Sequence, residues 1–86
     1  MNATRFSFNV SVPCDAGGAL MMRKLAEQAA RYVGADASAE RFGLSVEQAV
    51  HAQINGDAAG SIPITVRRSD GPVEVLVGAR TIALDV

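Results

Sequence analysis

The pattern of apolar and polar residues predicts four β-strands. In each predicted strand every second residue is apolar, which is typical of a strand with one face against a core and the other exposed. The four runs are residues 6–12, 62–66, 73–77 and 81–86. A turn signal at Asp70-Gly71 joins the second run to the third. These two runs therefore predict a β-hairpin.

Between the first and second runs the apolar residues follow a helical period. They recur at spacings of three and four over residues 18–33, and Gly34 stands where a helix commonly ends. A second stripe predicts a helix over residues 39–54. Gly43 weakens that pattern, and residues 45–48 read as a capping box, so a later start at Ser45 stays open.

The order of these elements predicts the fold class. Each strand has one apolar face and each helix one apolar stripe, so a two-layer sandwich buries both. We expect an α+β domain of order β-α-α-β-β-(β), with two helices packed on one face of a mostly antiparallel sheet. Residues 1–86 are expected to form a single domain, because a chain of 86 residues supports one core.

Composition and charge narrow the classes of function. The chain is 49% hydrophobic with a net charge of −1 and mixed signs, which argues against nucleic acid as the ligand. Cys14 is the only cysteine and His51 the only histidine, so we expect no internal disulfide, no zinc site and no cofactor. No run of residues resembles a signal peptide or a membrane span, and we expect a cytoplasmic protein that does not bind membranes.

One stretch of the second predicted helix resembles a known family. Residues 44–56 read Leu-Ser-Val-Glu-Gln-Ala-Val-His-Ala-Gln-Ile-Asn-Gly. This stretch, residues 22–29 and the order strand-helix-helix together resemble the histidine-kinase-like ATPase fold, in particular the small anti-sigma-factor serine kinases. Their second helix carries a motif of the form Leu-x-Val-x-Glu-Ala-Val-x-Asn-Ala-Ile.

The same resemblance implies that the family's chemistry is missing. When residues 44–54 are aligned with the motif so that the apolar positions coincide, the catalytic Glu of the family falls on Gln48 and its magnesium-binding Asn on Ala52. A shift by one residue recovers an acid at Glu47 but places His51 where the Asn belongs. The family's Asp-x-Gly-x-Gly motif is also absent from residues 75–80. The resemblance thus implies a degenerate, truncated relative without kinase or ATPase activity.

Two places are candidates for binding. Glu47 and His51 lie one helical turn apart and could form a solvated pair or, alternatively, a general base or phosphoryl acceptor. The last predicted strand, with Ile82, Leu84 and Val86, is expected to form a lightly charged sheet edge that pairs with a protein partner or a second copy.

These observations predict a function without catalysis. We expect a regulatory or protein-interaction module, resembling an anti-sigma factor, that binds a protein partner or forms a homodimer. Two alternatives stay open. One is a small-ligand or nucleotide-binding domain with a pocket between the helices and residues 55–61, and the other is a phosphotransfer protein centred on His51.

Overall fold

A computed structural model describes residues 5–54 and 60–85 of the chain. Its elements are β1 (Phe6–Pro13), α1 (Ala16–Tyr32), a 3-10 turn (Asp36–Ser38), α2 (Ala39–Ile54), β2 (Ser61–Arg68), β3 (Val73–Val77) and β4 (Arg80–Leu84). The predicted α+β class and the order β-α-α-β-β-β are confirmed. Neither helix in these ranges combines the length and the apolar character needed to cross a membrane.

The four strands form one antiparallel sheet in the order β1-β2-β3-β4. β1 and β2 pair along their whole length, from Phe6 opposite Arg68 to Pro13 opposite Ser61, although two helices separate them in sequence. β2, β3 and β4 follow one another as hairpins, and Gly78 has the positive φ of 59° that a tight β3-β4 turn requires. The sheet therefore has two edges, which are β1 and β4.

Both helices cover the same face of the sheet. The core between the layers combines alanines of α1 with valines and isoleucines of β2 and β3. Asp15 caps α1, because its Oδ1 accepts a hydrogen bond of 2.9 Å from the Gly18 backbone N–H. A side chain at Gly18 would overlap the Pro13 carbonyl oxygen, so glycine at this position lets α1 begin directly against the end of β1. The cap also uses an N–H group that an anion would otherwise bind.

α2 is a regular helix from Ala39, so the alternative start at Ser45 is wrong. Gly43 is buried inside it, and a Cβ at this position would lie 2.9 Å from the Arg23 carbonyl oxygen and 2.7 Å from Cγ of Glu27. The glycine is therefore present because α1 and α2 approach closely here. It weakens the intrinsic helix propensity and strengthens the packing of the helix pair.

Candidate functional site

Glu47 and His51 belong to an ion cluster on the helices. His51 Nε2 lies 3.9 Å from Glu47 Oε2, and the His51 side chain is about half exposed at 47%. Glu47 is also 3.4 Å from Arg23 Nη1, and Arg23 Nε donates to Glu27 at 3.3 Å. The Glu47 carboxylate thus links α2 to α1. Within the described residues, no three His, Cys, Asp or Glu side chains gather in a way that could hold a metal ion.

The positions implied by the family resemblance lie on the outer side of α2. Gln48, His51 and Ala52 are all exposed, and Glu47 is half-buried. The pocket predicted between the helices and residues 55–61 falls largely on residues 55–59, which lie outside the described residues.

The backbone of β1 presents hydrogen-bonding groups to its open side. The Cys14 N–H donates to the Gly60 carbonyl at 3.1 Å. In an antiparallel pair, bonded and non-bonded positions alternate, so the even-numbered residues of β1 bond to β2. The backbone groups of Ser7, Asn9 and Ser11 point away from the sheet. Pro13 fits this assignment, because the N–H that it lacks would also face the open side.

The same alternation identifies the open groups of β4. Its pairing with β3 sets Arg80, Ile82 and Leu84 opposite the odd-numbered residues of β3. The backbone groups of Thr81, Ala83 and Asp85 therefore point outward.

The structure places two of the predicted partner-binding residues on the inner face of β4. Ile82 and Leu84 are half-buried and pack against the core from the helix side. A partner strand at this edge would bond to the backbone beside them and contact only the exposed part of each side chain. Val86, the third predicted residue of this set, lies outside the described residues.

The opposite edge, β1, has features that the sequence-based prediction missed. Residues 6–13 include no charged side chain, and the strand is eight residues long against five for β4. An apolar groove of about 360 Å³ runs beside it, lined by side chains of β1 and α1. The lining residues are Phe6, Phe8, Leu25, Gln28, Ala29 and Tyr32. The uncharged run was visible in the sequence, but its position at an edge depends on the strand order.

Aromatic rings form one end of this groove. The Phe6 ring lies 6.1 Å from that of Phe8 and meets the Tyr32 ring edge-on at 5.8 Å. Tyr32 is nevertheless 66% exposed. The groove is thus an accessible apolar surface continuous with the open backbone of β1.

Comparison of the chain with protein-family models, curated proteins and solved structures gives no match.

Proposed function

We propose that this protein is a non-catalytic protein-interaction module that accepts a β-strand at an edge of its sheet. The observation that supports this proposal is the pair of open edges, each with a row of outward N–H and C=O groups. Proteins usually block such edges with charges, prolines or bulges, because an open edge pairs with other chains. Strand addition uses these backbone groups for affinity and the adjacent side chains for specificity.

At β4 the partner strand would lie along residues 81–85. Asp85 is the one charged residue of this stretch, and Arg80 directly precedes the stretch, so the two charges stand at its ends. A partner would bond to Thr81 and Ala83 and cover the exposed parts of Ile82 and Leu84. In this proposal the module works in the cytoplasm without a cofactor, and its partner is a protein.

A proline at the centre of the β4 edge tests the proposal. Ala83→Pro removes an outward N–H while leaving the bonds between β4 and β3 in place, and proline is tolerated on edge strands in this orientation. We expect immobilised wild type and the control Ala83→Ser to retain the same protein from a cell extract, and Ala83→Pro to retain much less of it. Equal retention by Ala83→Pro would contradict binding at this edge.

A thermal shift separates this function from nucleotide binding. A ligand at one hundred times its Kd stabilises a protein by about 2.7 kcal/mol. In a domain of this size that gain raises Tm by roughly 10 °C or more. We expect no rise in Tm with ATP and Mg²⁺. A magnesium-dependent rise of that size would favour the nucleotide-binding alternative instead.

A further inference from the structure

We infer that the β1 edge pairs with the β1 edge of a second copy of this chain, about a two-fold axis at Asn9. The product is a homodimer with one continuous eight-stranded sheet and both helix layers on the same side. The inference rests on the proposed function, since it uses strand addition, and it names the edge, the partner and the register.

Backbone hydrogen bonds select this register. With Asn9 opposite Asn9 of the second copy, Ser7 stands opposite Ser11 on both sides of the axis. All three residues direct their N–H and C=O groups outward, so each one forms part of a hydrogen-bonded pair. A shift of the register by two residues in one direction would set Ser7 against Pro13, which has no N–H to donate. A shift by two in the other direction would set Ser11 against the charged Arg5. The register centred on Asn9 is the one that pairs Ser7, Asn9 and Ser11 among themselves.

Side chains match in the same register. On the helix side, Phe8 would lie opposite Val10 of the second copy, and Phe6 opposite Val12, so apolar residues meet apolar residues. On the open side the pairs are Ser with Ser and Asn with Asn. Directly opposed residues of antiparallel strands have Cβ atoms about 4.5–5.5 Å apart, which is close enough for these contacts.

The pairing also brings no like charges together. Arg5 stands opposite the uncharged Pro13 of the second copy in this register, and in its own chain it lies 3.5 Å from Asp70. Residues 6–13 carry no charge, so no like charges are opposed along the strand.

The helix layer favours a second copy over a lone strand from another protein. Met21, Leu25, Gln28 and Tyr32 follow the helical period on the side of α1 next to the β1 edge, and the last three line the groove. Met21 is 59% and Tyr32 66% exposed. A lone strand would cover only the sheet layer. A second copy also brings its own α1, antiparallel to the first, with Met21 of one copy near Tyr32 of the other.

The mass of the protein in solution tests this inference. Sedimentation equilibrium of wild type at micromolar concentrations is expected to give twice the 8.9 kDa of one chain. Asn9→Pro removes the central outward N–H, and Met21→Lys places a charge on the helix stripe. Each should raise the dimer dissociation constant at least tenfold. Circular dichroism of each variant confirms that the fold is retained.

Two variants serve as matched controls. Leu44→Lys puts the same charge on an apolar residue of α2 that is 43% exposed and does not line the groove, and Ala83→Pro alters the other edge. Both control variants should sediment with the mass of a dimer, as the wild type is expected to do. A wild type of single-chain mass overturns the inference, as does a dimer that dissociates with Ala83→Pro and persists with Asn9→Pro. Either result leaves strand addition at β4 standing, so the two proposals fail separately.

Cross-linking checks the register itself. In a Cys14→Ser background, Asn9→Cys places two thiols opposite each other at the axis. Thr65→Cys is the control, because Thr65 lies beside Asn9 on the next strand, where its Oγ1 donates to Asn9 Oδ1 at 2.7 Å. Mild oxidation should link the Asn9→Cys chains and not the Thr65→Cys chains. Equal linking of both would contradict an axis at Asn9.

Discussion

At the scale of single residues, Gly43 shows how packing outweighs intrinsic propensity. Alanine in a helix interior is about 1 kcal/mol more favourable than glycine. Here the added Cβ would meet the Arg23 carbonyl oxygen at 2.9 Å, and a backbone atom of the neighbouring helix cannot move alone. Overpacking of this kind costs about 1–3 kcal/mol. Gly43→Ala is therefore expected to lower the free energy of unfolding in urea, despite its better propensity.

Gly71→Ala is the control for that measurement. A Cβ added at Gly71 meets nothing within 4 Å, and the φ of this residue is not in the left-handed region. The free energy of unfolding of the Gly71→Ala variant should stay close to that of the wild type. A Gly43→Ala protein as stable as wild type would show that the space between the two helices accommodates the added Cβ.

Burial, more than distance, decides the contribution of each ion pair. The Arg23–Glu27 pair is 3.3 Å long, and the Glu27 side chain is only 11% exposed. The Arg67–Glu74 pair is shorter, at 2.9 Å, but its side chains are 50% and 34% exposed. Among the residues that the structure describes, Arg23→Ala leaves the buried Glu27 with the longer contact to Arg31 alone, at 3.9 Å. An incompletely paired buried carboxylate costs about 1–3 kcal/mol, whereas exposed pairs contribute about 0–1 kcal/mol.

We therefore expect Arg23→Ala to destabilise the protein more than Arg67→Ala, by at least about 1 kcal/mol. Chemical denaturation of both variants under the same conditions measures the difference. Equal losses, or a larger loss for Arg67→Ala, would contradict the description of Glu27 as the buried member of the cluster.

At the scale of elements, the two edge strands predict a pattern of amide hydrogen exchange. In β4 the amides of Thr81 and Ala83 face outward, whereas Ile82 and Leu84 bond to β3. Exchange should alternate along this strand, fast at Ala83 and slow on either side of it. Along β1 a second copy would cover the outward amides, so Asn9 should exchange at least tenfold more slowly than Ala83.

Residue-resolved exchange by nuclear magnetic resonance provides the comparison. The matched control is Asn9→Pro, in which the amides of Ser7 and Ser11 should lose their protection. Fast exchange at Asn9 in the wild type would mean that the β1 edge is open in solution.

The elements themselves could be predicted from the sequence, because their signals are local. Alternation identified β1, and the hydrophobic period identified both helices within a few residues of their observed ends. The neighbours of each strand could not be predicted in this way. Alternation tells which face of a strand is buried, but the partner of Phe6 is Arg68, far along the chain. The prediction therefore recognised the edge at β4, which follows from a hairpin, and missed the edge at β1.

The candidate site was predictable to a similar extent. Glu47 and His51 are close as their spacing requires, but the role of Arg23 in joining Glu47 to α1 depends on the packing of two helices. Gly43 gave a misleading signal for the same reason. Its cost appears in the sequence as poor propensity, and its benefit appears only where the helices meet.

At the scale of the whole molecule, dimerisation through β1 predicts a Tm that depends on protein concentration. A domain of this size buries only about 60–65% of the surface of its extended chain, so an added interface is a large part of its stability. If unfolding also separates the two copies, a tenfold rise in concentration favours the folded dimer by about 1.4 kcal/mol. Spread over two chains of 86 residues, this gain corresponds to a rise in Tm of roughly 3–6 °C.

Calorimetry over a hundredfold range of concentration measures this dependence. Asn9→Pro should show a weaker dependence of Tm on concentration, because less of it is dimeric when it unfolds. Ala83→Pro should keep the wild-type dependence, since the β4 edge is not part of the dimer. A wild-type Tm that stays constant over this range would show that the folded chain is stable alone, and the apolar groove beside β1 would then need another occupant.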